Sequence, residues 1–178
     1  VYKIDSNAFC ACTKLEKVKI SKNVVSVGTN AFENTPWLTK QTGDFVIIGK
    51  ALYKYKGKSV NIKIPDGVIS IGAFAFKNCC QIKSVIIPDS VKSIDLEAFS
   101  GCTSLALTGE LPSGLTSIGN DAFYCCRNGA VTGELPSGLT AICSYAFNGC
   151  TNLALTGSLP SGLTSIGGCT FRGCTSLA

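Results

Sequence analysis

Eleven cysteines and no histidine set the chemistry open to this 178-residue chain. A thiol serves as nucleophile, metal ligand or disulfide partner, and each role needs particular company. Without histidine there is no Cys–His or Ser–His–Asp arrangement. The adjacent pairs Cys79-Cys80 and Cys125-Cys126 and the Cys10-Ala11-Cys12 triplet are poor chelates, because neighbouring side chains diverge and no His completes a usual zinc set. An odd number of thiols excludes complete intramolecular pairing. Neither a complete phosphate-cradling P-loop, G-x-x-x-x-G-K-[ST], nor a dinucleotide fingerprint is present, since Gly57-Lys58-Ser59 is preceded by Leu52 where the loop needs Gly. The expectation is therefore no enzyme, no cofactor and no metal.

Charge narrows the partners. Residues 1–97 carry fourteen Lys against eight acids, while 98–178 carry two Arg against three acids. The lysines are scattered, with no polybasic run and no interleaved aromatics at base-stacking spacing, so nucleic acid is not an expected partner. No apolar run is long enough for a membrane-spanning helix, and none of this stretch is expected to insert into a membrane. Hydrophobic residues at 46% and charged residues at 15% mark an ordered chain.

What positions the thiols is a repeat. Gly109–Thr116 reads GELPSGLT, recurs unchanged at Gly133–Thr140, and returns as GSLPSGLT at Gly157–Thr164, a step of 24 residues. With Pro88, Pro112, Pro136 and Pro160 as origins, Val or Leu follows at +3, Ile at +6, Phe99, Phe123, Phe147 and Phe171 at +11, and Cys102, Cys126, Cys150 and Cys174 at +14. Upstream copies supply Phe9, Phe32 and Phe76 with Cys12 and Cys79. Six thiols thus share one repeat position and read as small buried hydrophobes in a column. Cys10, Cys80, Cys125, Cys143 and Cys169 fall at irregular positions and read as more accessible.

Apolar residues at these offsets fit neither a sustained helix nor a long strand. They suit a coil that returns one edge to a common core, the pattern of a solenoid. The segments Lys17–Ile20, Asn61–Ile64 and Ser84–Ile87 are expected to stack as short parallel strands. The Asn-Ala-Phe, Glu-Ala-Phe and Asp-Ala-Phe words read as a capped helical or 3-10 turn opposite, with Asn7, Asn30, Glu97 or Asp121 at its start. Gly109, Gly133 and Gly157 add one residue to a 23-residue unit and suit a bulge with an unusual φ. The Pro-Ser-Gly words suit a tight corner.

The stretch Ile87–Leu105, IPDSVKSIDLEAFSGCTSL, resembles the repeat of BspA-type leucine-rich proteins, and the likeness runs along nearly the whole chain. Local departures are Asp95 and Cys143 in place of Gly, Thr35 in place of Cys, and Gly129 in place of Leu. The resemblance implies a right-handed leucine-rich-repeat solenoid of bacterial or protozoan surface proteins, with roles in adhesion. On this reading residues 1–178 form a single solenoid of six to seven repeats, itself a piece of a longer array.

The spacing of Phe32 and Phe76 is irregular, and residues 34–60 form an insertion. Phe45–Gly49 and Ala51–Gly57 around Gly49-Lys50 read as a β-hairpin, the rival being a degenerate extra coil. Trp37, Tyr53 and Tyr55 read first as a lid over the core and alternatively as anchors for a partner.

The expected function is a protein-binding module of a cell-surface or secreted protein, the alternative being a spacer that displays another domain. The candidate contact lane is the outward strand face: Lys17, Lys19 and Lys63 with Tyr53 and Tyr55 at the basic end, then Thr108, Glu110, Thr132 and Glu134. Its basic end would attract an acidic protein.

Overall fold

The computed structural model describes residues 1–107, 110–129 and 131–177. In chain order the strands are β1 (Lys3–Ile4), β2 (Ser26–Val27), β3 (Phe45–Ile48), β4 (Ala51–Tyr55), β5 (Asn61–Lys63), β6 (Ser70–Ile71), β7 (Ser84–Ile86), β8 (Ser93–Ile94), β9 (Ala106–Leu107), β10 (Ser117–Ile118), β11 (Thr132–Gly133), β12 (Ala141–Ile142), β13 (Ala154–Leu155) and β14 (Ser165–Ile166), with one short helix α1 (Pro36–Thr39) among the described residues. The chain winds as a β-solenoid of about seven turns with almost no helix. Its longest sheet has the order β14-β12-β10-β8-β6-β4-β3. All its junctions are parallel except the β3–β4 hairpin, so successive coils lie side by side in one direction.

That sheet does not run where the sequence suggested. Its repeating rung is the Ser-Ile dipeptide, with Ser93 beside Ser117 and Ile94 beside Ile118. The expected segments contribute a smaller sheet, β5-β7-β9, and Lys17–Ile20 forms none of the described strands. Two residues suffice for a rung because the next residue turns toward the opposite edge while its N–H still reaches back: Gly119 N–H donates to the Ile94 carbonyl at 2.8 Å. The approach is close enough that a Cβ on Gly119 would sit 2.7 Å from the Asp95 carbonyl carbon.

The turn face also departs from expectation. Ala98, Ser100 and Cys102 donate to the Asp95, Glu97 and Phe99 carbonyls three residues back, making interleaved β-turns instead of a helical turn. Asn7, Asn30, Glu97 and Asp121 are not helix caps. Each has a left-handed φ between 50° and 60° and is followed four residues later by another left-handed residue: Ala11, Asn34, Gly101 and Cys125. A left-handed third residue is the geometry of a type II turn. The intervening N–H groups point along the stack, where Glu97, Phe99 and Gly101 donate to Asn120, Ala122 and Tyr124 of the next coil at 2.8 Å each.

Departures from the repeat have local answers. Thr35, standing where Cys is usual, accepts the Leu38 N–H at 3.1 Å and donates to the Phe32 carbonyl at 2.7 Å, so it caps α1 with Pro36 in the first helical position. Gly129, standing where Leu is usual, leaves a core vacancy. The ladder slips two residues, pairing Thr132 with Ala154, which sets fully buried Val131 at the level of Leu153. Gly133 and Gly157 take φ of 89° and 77°, the conformation expected of the added residue, while Gly109 lies outside the described residues. The Pro-Ser-Gly corners close by Leu115 N–H to Pro112 and Leu139 N–H to Pro136.

The insertion is a hairpin and also takes a coil's place. β3 and β4 pair antiparallel, while β4 joins β6 in parallel with Leu52 beside Ile71. The Phe column is consequently interrupted: Phe9 stacks on Phe32, and Phe76, Phe99, Phe123, Phe147 and Phe171 stack in sequence, but Tyr55 fills the slot ahead of Phe76 at 5.2 Å. Two apolar clusters result, meeting along β4, with Ala51 and Tyr53 in the N-terminal one and Leu52 and Tyr55 in the larger one. The continuous single core expected from the Phe spacing is thus divided at the hairpin.

Phe123→Ala is expected to lower unfolding stability by about 3–5 kcal/mol, since it empties a fully enclosed slot, and half-buried Phe171→Ala by less. Urea titration followed by far-UV circular dichroism reads both, and equal losses at the two positions would contradict the column.

Candidate functional site

The expected contact lane comes apart in space. Lys17, Lys19, Lys63, Glu110, Thr132 and Glu134 are exposed, but Tyr53 and Tyr55 are 5% and 7% exposed and belong to the core. Their rings are taken up by packing, Tyr53 edge-on against Phe32 at 6.0 Å and Tyr55 against Phe76 at 5.2 Å. Lys17 and Lys19 follow Leu15, whose carbonyl accepts the Trp37 N–H at 2.8 Å, so α1 stacks on that segment. Lys63 lies in β5, which pairs with β7 in the three-stranded sheet β5-β7-β9, with exposed Ile86 as its register neighbour. Thr132 lies in β11, in a separate sheet with β13. Thr108 lies outside the described residues.

The cysteine column is real over three coils. Cys102, Cys126 and Cys150 are buried, and each Sγ donates to the Phe carbonyl of the preceding coil, at 3.0, 3.1 and 3.0 Å. Burial pushes the Cys102 and Cys150 thiols up to about 12 and raises Cys126 well above its ordinary value. Cys174 keeps the bond, to Phe147 at 3.1 Å, but is half-buried. Cys12 is exposed and Cys79 half-buried, against expectation. The coil before Cys79 is the hairpin, which carries Tyr55 in the Phe position. Cys80 and Cys169 are exposed as expected, whereas Cys10, Cys125 and Cys143 are half-buried. No group of three metal-ligating side chains occurs among the described residues.

A concavity arises where the hairpin replaces a coil. Between Leu52 and Tyr55 the chain crosses in three steps, whereas a regular coil uses five between Ile94 and Phe99 and bulges outward over them. The missing bulge leaves a notch of about 430 Å³ between the Asn30–Asn34 turn and the next full turn at Ala73 and Phe74. Tyr53 and Lys54 form its floor. The Tyr53 hydroxyl accepts the Phe32 N–H at 3.2 Å, and burial pushes its pKa up to about 12. Lys54 Nζ meets Glu33 Oε1 at 2.8 Å, so the floor carries a charge pair without net charge. The sequence reading missed this notch, although its signal was visible: 44 residues separate Phe32 from Phe76, without a Phe-x-x-Cys word between them.

Parallel rungs, a repeated Phe slot and β-turn corners define a leucine-rich-repeat solenoid. The model of the BspA type leucine rich repeat region matches in six copies over residues 1–106 and 46–178, and the chain belongs to that family. Among solved structures, a leucine-rich repeat protein from Eubacterium ventriosum ATCC 27560 is 26% identical over 97% of this chain and 43% of its own, with a TM-score of 0.56. A leucine rich cell surface protein from Faecalibacterium prausnitzii A2-165 is 25% identical over 89% of this chain and 52% of its own, with a TM-score of 0.51. This chain therefore spans about half the length of either neighbour or less. No curated protein matches it significantly. Such solenoids are typically non-catalytic binding scaffolds. No helix among the described residues is long and apolar enough to cross a membrane.

Two outcomes follow from the thiols. Iodoacetamide labelling of the native protein, mapped by mass spectrometry, is expected to modify Cys12, Cys80 and Cys169 and to spare Cys102, Cys126 and Cys150, because the thiolate is the reactive form. Rapid native labelling of Cys126 would contradict the column. Folded-state values raised from 9.0 to about 12 also mean that the stabilisation from Cys102 and Cys150 is complete below pH 9 and is lost as pH climbs toward 12. The urea midpoint should fall across that window, and less steeply in a Cys102→Ala, Cys150→Ala variant.

Proposed function

We propose that this chain is a protein-binding repeat module of a surface-displayed or secreted protein, engaged in adhesion to host or matrix proteins, and that it carries out no catalysis. The observation that carries the reading is the regular outer surface of the solenoid, a shape that repeat proteins use for extended partner contact. Kinship with the family and likeness to a leucine rich cell surface protein support surface display. Residues 1–178 act on this reading as one solenoid, whose two apolar clusters share the β4 strand.

The basic half supports an acidic protein partner. Among its many exposed lysines, the three of the candidate lane fall into two separate groups, Lys17 with Lys19 on one segment and Lys63 on β5. A spacer that displays another domain is the second reading. It is favoured by the near-identity of the coils at 109–116, 133–140 and 157–164, since a ligand-reading surface would vary its outward residues.

Surface plasmon resonance against immobilised matrix proteins at low and physiological ionic strength tests the reading. Binding should weaken as salt screens the exposed lysines. Lys63→Glu and the pair Lys17→Glu, Lys19→Glu should each weaken it, and their effects should add as those of separated sites do. Absence of binding to any acidic matrix protein, or binding indifferent to salt and to all three reversals, would favour the spacer.

A further inference from the structure

The notch differs from the other depressions in what its walls leave undone. At each complete junction of the turn face three N–H groups of one coil donate to three carbonyls of the next: Asn7, Phe9 and Ala11 to Thr29, Ala31 and Glu33; Phe74, Phe76 and Asn78 to Leu96, Ala98 and Ser100. The junctions that begin at Glu97, Asp121 and Tyr145 repeat the pattern. Between Asn30–Asn34 and Phe74–Asn78 only the middle position is met. The Phe32 N–H is taken by the Tyr53 hydroxyl, and the Ala75 carbonyl by the Tyr55 N–H at 2.9 Å. Among the described residues, the flanking Asn30 and Asn34 N–H groups donate to no neighbouring coil, and the flanking Ala73 and Lys77 carbonyls accept from none.

We propose that the notch between the Asn30–Asn34 turn and the Ala73–Lys77 turn is a docking slot for a short main-chain segment of a partner protein, seated in place of the turn that the hairpin omits. The proposal rests on the protein-binding reading above and specifies where and how one such contact is made. Rungs of a ladder stand about 4.8 Å apart, so one missing rung leaves about twice that between the walls, room for a single polypeptide thickness. One wall presents donors and the other acceptors, as in the addition of a strand to an open sheet edge.

The walls also dictate the occupant's chemistry. The two donors and the two acceptors are each four residues apart, and in the regular coil the accepting carbonyls precede the donating N–H groups by one residue, as Leu96 and Ser100 precede Glu97 and Gly101. The segment therefore spans five residues together with the carbonyl of the residue before them. The turns on both sides have left-handed φ at their first and last residues, Asn30 at 55° with Asn34 at 59° and Phe74 at 61° with Asn78 at 59°. A segment in register therefore needs Gly or Asn at its first and fifth positions. Its central side chain must be small, because Tyr53 and Tyr55 already occupy the aromatic slots beneath. The paired charges of Glu33 and Lys54 on the floor favour a neutral segment.

A cyclic peptide containing Asn-Ala-Ala-Ser-Gly, patterned on Glu97–Gly101 with a small residue in place of Phe99, serves as the probe. Titrated into the ¹⁵N-labelled full chain, it should shift the Asn30 and Asn34 amide resonances while leaving Glu97 and Gly101 unmoved. N-methylation of the probe at its first and fifth residues removes the donors to Ala73 and Lys77 and should weaken binding about ten-fold or more, the effect of two lost hydrogen bonds. Ala73→Trp, which fills the notch, should abolish the shifts. No shift at Asn30 and Asn34, or equal affinity for the methylated probe, would overturn the slot. Either result leaves the matrix-protein measurement unaffected, so failure of the slot and failure of the adhesion reading are separately visible.

Discussion

A single coil of this chain cannot satisfy its own backbone. On the turn face alternate N–H groups close β-turns within the coil, while the others point along the stack and need the carbonyls of the next coil. Leaving such groups buried and unpaired costs about 1–3 kcal/mol each, so the coils must stack in register. Side-chain order follows. The rings of Phe76, Phe99, Phe123, Phe147 and Phe171 lie 4.8 to 5.7 Å apart and within 5° of parallel. Parallel rings at these separations fall in the range aromatic pairs favour, so ring attraction acts along the same axis as the coil spacing. Where the ladder lapses, Phe32 and Tyr53 meet at 85°.

The same constraint explains why the thiols are buried over only part of their column. A Cys at +14 is enclosed when full coils lie on both sides and the carbonyl of the preceding Phe is there to accept its proton, as for Cys102, Cys126 and Cys150. Cys79, which follows the hairpin, has Tyr55 in that place and keeps more solvent contact. The hairpin preserves the Ser-Ile sheet through Leu52 and the aromatic slot through Tyr55, but omits the outward turn. A notch with half-used hydrogen-bonding walls is the consequence.

Periodicity made much of the fold legible. Phe at a constant offset implied one slot per coil, and the Pro-Ser-Gly words implied identical corners. What escaped the sequence was local. The Ser-Ile rungs are too short for alternation to mark them as strands, so Lys17–Ile20 and its equivalents drew the attention instead. The Asn-Ala-Phe words carry helix-cap residues, yet Asn7 and Asn30 are used for their tolerance of left-handed φ, a choice between two roles that residue type alone does not decide. Tyr53 and Tyr55 suited either a lid or a partner anchor by type, and residue type alone did not show that Tyr55 stands in the one omitted Phe slot while Tyr53 packs edge-on against Phe32. The lane from Lys17 to Glu134 assumed one unbroken sheet, whereas α1 and the hairpin come between Lys17 and Lys63, and the two-residue slip after Gly129 sets Thr132 in a separate sheet.

Amide hydrogen exchange by NMR reads the ladder bond by bond. In the native protein the Glu97, Phe99 and Gly101 amides should exchange slowly, at rates set by opening of the stack, and Phe32 should be slowed by the Tyr53 hydroxyl. Asn30 and Asn34 should exchange at rates close to those of an open loop. Equal protection of Asn30, Asn34, Glu97 and Gly101, or fast exchange at all four, would contradict a stack held by its inter-coil ladder and interrupted at the hairpin.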